Sequence, residues 1–260
     1  MIPRWVGVAV RTGAQRVVAE PGALLTGTFF YLLVVGAVTS LWRVAAEAND
    51  GTVVGYDATA LTWYLALSEA AYMAVNSRMI EEIGDDIVGG EVASEMLRPA
   101  PVVGVRLASQ LGRALPRLVV NGAAGAVFCL VAVGAPPSAA GLGLAVPALL
   151  LAGACNLAAV HGVAAITFWL RDAKSSWFLY QKLIFILGGM LLPLEVLPAA
   201  LRDVAVSLPF MTMAYAPARL ASGHVEPVLL LAQLGWLVVL VAVASTAFAA
   251  GERRLQAVGG

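Results

Sequence analysis

Three ionisable side chains fall inside long apolar runs of this chain: Glu69, His161 and Lys182. Placing a charge in lipid costs roughly 2.5 to 3.5 kcal/mol on insertion scales, so such groups mark where a translocation pathway would handle a polar solute or proton. Glu69 and Lys182 could pair or line a cavity, and Lys182 could equally carry its ammonium back to the membrane interface on its long stem. His161 reads more simply as a hydrogen-bonded packing residue. The other histidine, His224, is far away, and no His-Glu-x-x-His or paired-Asp motif is present, so no metal or hydrolytic centre is expected. Cys129 and Cys155 lack metal-type spacing and read as small buried hydrophobes. Neither lysine sits in a Gly-Lys-Ser/Thr phosphate loop, because Ala173 precedes Lys174 and Gln181 precedes Lys182. The chain is therefore not expected to hold a nucleotide or any cofactor of its own.

The longest polar passage runs over residues 78–101, RMIEEIGDDIVGGEVASEMLRPAP. Its first part predicts a helix with Ile80, Ile83 and Ile87 on one face and Glu81, Glu82, Asp85 and Asp86 beside them, broken at Gly89-Gly90. A second short helix, Glu91 to Arg98, carries Val92, Met96 and Leu97 on one side and stops at Pro99. The passage is an amphipathic elbow. It can be read as a solvated loop, or as a docking surface whose isoleucines need a partner to cover them.

These groups must be positioned by apolar helices. The chain has 260 residues, 60% hydrophobic and 12% charged, against roughly 25% charged in a soluble domain. The fold class predicted is an all-α polytopic membrane protein, a single transmembrane domain over 1–260. An interfacial helix at 3–20 puts Arg4, Arg11 and Gln15 on one side and Trp5 at headgroup depth. Six spans follow, at 22–42, 58–75, 118–134, 142–170, 177–192 and 228–250, with a helix between Pro101 and Arg117 approaching the third span obliquely. Between spans five and six, over 193–227, Pro193, Pro198, Pro209 and Pro217 cut the sequence into pieces too short to cross, which predicts re-entrant helices.

Arginines and lysines set the orientation. Arg4, Arg11, Arg16, Arg78, Arg98, Arg106, Arg113, Arg117, Arg171, Lys174, Arg253 and Arg254 fall on one side of the predicted spans; Arg43, Arg202 and Arg219 fall on the other. The first side is predicted to be cytoplasmic, with both termini and the elbow inside and the proline-cut segment outside. Net charge is zero and nucleic acid is not an expected partner. Arginine in preference to lysine, with abundant Ala, Val and Gly, suggests a GC-rich bacterial genome.

The order of these features resembles the transmembrane subunits of type-2 ATP-binding cassette exporters, within them the six-span permeases of bacterial efflux operons. The resemblance covers essentially the whole chain. Ile83-Gly84-Asp85-Asp86-Ile87 followed by Glu95-Met96-Leu97-Arg98-Pro99 is similar to the family's Gly-Asp-Ile then Leu-x-Arg-Pro pattern, loosened here by an extra Asp and the Gly-Gly pair. Phe168-Trp169-Leu170 and the later proline series are weaker echoes. The resemblance implies that the elbow is a coupling helix, with Ile83, Gly84, Asp85, Asp86, Ile87, Glu95, Leu97, Arg98 and Pro99 engaging a separate ATP-binding subunit. It implies two such subunits, which bind ATP and Mg, and two permease subunits, identical or homologous, with the path between them in the bacterial cytoplasmic membrane.

Walls of Ala, Val, Leu and Gly fit a lipophilic cargo such as a drug, a lipid or a hydrophobic peptide. Two other readings stay open at this point. An ion-coupled secondary transporter would carry an inverted repeat and more buried carboxylates, and a membrane scaffold subunit would bind no ATPase.

Overall fold

The computed structural model describes residues 3–75, 78–95, 101–170 and 172–258. Pro3 precedes α1 (Arg4–Val18), and Pro21 opens α2 (Pro21–Glu47), where a proline costs no hydrogen bond because the first helical amide has no partner. A small antiparallel hairpin, β1 (Thr52–Val53) and β2 (Tyr56–Asp57), leads into α3 (Ala58–Ala74). The Asp57 carboxylate accepts from the Ala60 amide at 2.7 Å and caps that helix. The elbow comprises α4 (Met79–Gly89) and α5 (Glu91–Glu95). Gly90, at φ +81°, takes the left-handed conformation that ends α4 at little cost.

Next come α6 (Val102–Ala132), α7 (Ala139–Ala164), the short α8 (Thr167–Leu170) and α9 (Ala173–Leu187). Ser138 caps α7 by accepting from the Gly141 amide, and Asp172 caps α9 by accepting from the Ser175 amide. The proline-cut stretch forms a 3-10 turn at Leu194–Val196, α10 (Ala199–Ser207), a second 3-10 turn at Pro209–Thr212 and α11 (Tyr215–Ala221). The last helix is α12 (Val228–Val258).

The described residues include four helical stretches long and apolar enough to cross a membrane: Pro21–Glu47, Val102–Ala132, Ala139–Leu170 and Val228–Leu255. The expectation of six spans is met only to this coarser extent. Helix α3 has 17 residues and α9 has 15, about 26 and 22 Å, against a hydrocarbon core of about 30 Å. The reason is visible for α3: every residue from Ala60 to Ala71 is buried, so lipid does not set its length. It is the centre of the bundle, wrapped by α2, α6, α7 and α11.

One other expectation is revised. The oblique helix before the third span and the span itself are one helix, α6, 31 residues or about 46 Å long, which runs unbroken through Pro116. Helix α1, expected at the membrane interface, also packs closely on the protein. It runs beside the first half of α6, and the two backbones nearly touch: a side chain at Gly112 would strike the Val10 carbonyl, and one at Gly13 the Ser109 carbonyl.

The backbone of the broken helices between α9 and α12 is satisfied in part by protein groups. Gln233 on α12, fully buried, donates to the Thr212 carbonyl at 2.8 Å and the Ala148 carbonyl at 2.9 Å. Ser68 on α3 donates to the Met190 carbonyl at 2.8 Å, and the Tyr64 hydroxyl donates to the Gly189 carbonyl. Helices α7 and α12 run side by side in the same direction, Cys155 against Gln233 and Gly162 against Ala244. Their outer faces carry exposed Val146, Leu150, Val238 and Val239, as lipid contact requires.

Candidate functional site

The elbow's apolar face is already covered by the chain itself. Ile80, Ile83 and Ile87 are no more than 4% exposed and pack in one cluster with Val160, Phe168, Tyr180 and Phe248. Gly84 sits so close to α8 and α9 that an added side chain would meet Ala173 and Thr167. The expectation that these isoleucines await a partner is therefore not met: α7, α8 and α9 supply the cover. Ile83, Gly84 and Ile87 hold the elbow in place from within.

The acids divide between two tasks. Arg106 on α6 lies 2.8 Å from the Asp86 carboxylate and 2.7 Å from that of Glu95, clamping both limbs of the elbow to one long helix. The Arg106 side chain is only 12% exposed while Asp86 and Glu95 are 33% and 31% exposed, so these charge-assisted bonds are partly shielded from water. Asp85, Val88 and Glu91 face outward, and Glu82 lies on the same exposed edge. Leu97, Arg98 and Pro99 lie outside the described residues.

The three ionisable residues of the apolar runs are not brought together. Glu69 is 1% exposed in the middle of α3, and its Oε1 has no hydrogen-bond partner. His161 is fully buried on α7, with Nδ1 2.8 Å from the Leu157 carbonyl, and because a carbonyl only accepts, Nδ1 carries the proton. Lys182 is exposed on α9, its ammonium 5.2 Å from the centre of the Phe178 ring and 5.6 Å from that of Phe185. No ion pair joins any two of them among the described residues.

A polar cavity lies elsewhere, between α2, α3, α6 and α9, with a volume near 440 Å³. Thr28, Tyr72, Arg117, Asn121 and Gln181 contribute its polar groups. The Thr28 hydroxyl donates to the Asn121 side-chain oxygen at 2.9 Å, and the Gln181 amide donates to the Tyr72 hydroxyl at 3.3 Å. Sequence reasoning missed this group, since its five residues are scattered over four helices, with only Arg117 and Asn121 sharing one. The spacing of Arg106, Arg113 and Arg117, seven then four residues, was the available signal, because it puts all three on one helical face.

At the opposite end of the bundle Arg219 on α11 is a hub. It donates to Glu195 at 2.6 Å, to Glu226 at 2.9 Å and to the Tyr56 hydroxyl at 2.6 Å, joining the hairpin between α2 and α3 to the proline-cut segment. The Tyr215 hydroxyl donates to the same Glu195 oxygen at 2.6 Å. Burial, then the charge of Glu195, pushes the Tyr56 hydroxyl up to about 12, so it stays a donor or acceptor and not an anion. Burial works against the charge of Arg219, but its bond to Glu226 and the neighbouring acidic groups hold it more firmly protonated than a free arginine.

Residues 32–259 match a family model described as ABC-2 family transporter protein. No curated protein matches the chain.

Proposed function

Because the chain belongs to the ABC-2 family of transporter proteins, matched over most of its length, we propose that it is the permease subunit of an ATP-driven exporter. A separate ATP-binding subunit, present in two copies, binds ATP and Mg, and two permeases, identical or homologous, frame the path. The cargo is lipophilic, as the Ala, Val, Leu and Gly walls suggest: a drug, a lipid or a hydrophobic peptide. On this reading α3 and α9 complete six passes through a bacterial cytoplasmic membrane, with both termini and the elbow on the cytoplasmic side.

The observation that carries the reading is the way the elbow is mounted. Its isoleucines are packed against α7, α8 and α9, and its acids are clamped to α6 through Arg106, so a force on its outer edge is delivered to three helix systems at once. The exposed edge, Asp85 and Val88 with Glu82 and Glu91, is the surface offered to the motor. ATP-driven closure of the motor draws two such elbows together and shifts the permease pair between inward-open and outward-open or collapsed states. The coupling works only if the motor binds those states with different free energies.

The test is purification of the tagged chain from its native host in mild detergent, with cross-linking in intact membranes, followed by identification of companions and an ATPase assay. An ATP-binding subunit should accompany it and hydrolyse ATP in a Mg-dependent way. A preparation free of any ATPase, even after cross-linking, would sink the exporter reading in favour of an ion-coupled transporter or a scaffold.

A further inference from the structure

The close passage of α1 over Gly112 brings Arg16 to the face of α6 that carries Arg113 and Arg117. Together they line a recess of about 310 Å³ between α1, α2 and α6, next to the polar cavity described above, with which it shares Arg117. Three guanidiniums converge there on a single lining carboxylate, Glu20, and none of the three makes an ion pair within 4 Å among the described residues. Glu82 is a second acid whose charge bears on Arg117. Arg113 and Arg117 are four residues apart on one helix, a spacing at which like charges repel. The Nε of Arg113 is buried and has no hydrogen-bond partner among the described residues. A half-buried arginine pair with an unmet donor is a site built for an anion, and guanidinium groups fit the oxygens of a phosphate in particular.

Position selects the source of that phosphate. The recess lies at the bend between α1 and α2, where Val17, Ala23 and Leu24 line it beside the guanidiniums and the next residues in sequence, Val18 and Leu25, are 62% and 64% exposed. A ligand with an anionic head and apolar tails meets both surfaces at once, and a free ion meets only one. We infer that Arg16, Arg113 and Arg117 bind the phosphate of an anionic membrane lipid, its head seated in the recess and its chains against α2. The site holds whether or not lipid is the cargo.

The test uses the full chain reconstituted in nanodiscs that mix phosphatidylglycerol with phosphatidylcholine, released into native mass spectrometry to count retained lipids. The wild type should retain phosphatidylglycerol selectively, and R113Q/R117Q should lower that retention about tenfold. Glu20→Gln, which removes the opposing carboxylate, should raise retention, a gain that misfolding cannot imitate. Equal retention of both lipids by the wild type would overturn the site, as would unchanged selectivity in both variants. Displacement of the lipid by millimolar inorganic phosphate would show that the ligand is a free ion and would overturn the lipid assignment.

Discussion

The guanidinium of Arg106 lies 2.8 Å from the carboxylate of Asp86, and the adjacent Asp85 faces outward. Two neighbouring aspartates thus have separable roles. Asp86→Ala removes a partner from a mostly shielded arginine and should lower stability by about 1–2 kcal/mol, seen as a lower unfolding midpoint of the purified chain. Asp85→Ala should leave the midpoint unchanged within about 0.5 kcal/mol and weaken capture of the ATP-binding subunit in a pull-down. Equal effects of the two changes on stability would show that the clamp is not what holds the elbow.

The crossing of α1 and α6 gives a second test. Gly112→Val puts two methyl groups where the Val10 carbonyl stands, and backbone cannot retreat as a side chain can. Overpacking of this kind costs typically about 1–3 kcal/mol. Gly7→Ala on the same α1 meets nothing within 4 Å and should stabilise slightly, since alanine is the better helix former. Thermal unfolding of the two variants should therefore move in opposite directions, and a shared direction would contradict the observed crossing.

Arg219 presents the third. Arg219→Lys keeps the charge but loses the planar fork that reaches Glu195, Glu226 and Tyr56 together, so it is not a conservative change here. Amides in α11 and in the hairpin over 52–57 should exchange faster with solvent, at a local cost of about 1–3 kcal/mol. Exchange confined to wild-type rates in both segments would mean that the hub does not hold them.

What the sequence could and could not disclose follows from the range of its signals. Apolar runs, the Gly89-Gly90 break and the proline series act within a few residues, so α2, α7, α12, the end of α4 and the broken helices before Val228 were legible. Ile83 and Ile87 were recognisable as an apolar face, but periodicity cannot name what covers a face, and the cover came from α7, α8 and α9. Arg106, Arg113 and Arg117 suggested an oblique helix separate from the third span, whereas α6 runs on as one helix through Pro116. The clamp of Arg106, the cavity around Asn121 and the hub at Arg219 join residues far apart in the chain, with Asn121 bonded to Thr28 and Arg219 to Tyr56. Such pairings have no local signature, and Glu69, His161 and Lys182, which do stand out locally, proved to be three separate environments.

The end of the bundle that holds the Arg219 hub should also respond to acid. His224 packs its ring 5.1 Å from that of Tyr56, and burial, followed by the nearby charge of Arg219, holds its imidazole below the ordinary value of 6.5. Glu226 and Glu195 pull the other way without reversing the shift. A folded-state value below the unfolded one favours the neutral ring in the native structure. The stability this confers is fully present above about pH 6.5 and is lost as pH falls through that value toward the folded-state one, because the unfolded chain takes up the proton first. Divided by its intrinsic rate, which itself slows as pH falls in this range, hydrogen exchange over residues 215–226 should therefore show an excess at pH 5.5 over pH 7.5, on the order of a few-fold for a partly exposed ring. His224→Gln should remove that excess while leaving the Arg219 contacts in place. An excess that persists in the variant would assign the pH response to the carboxylates Glu195 and Glu226 and not to the histidine.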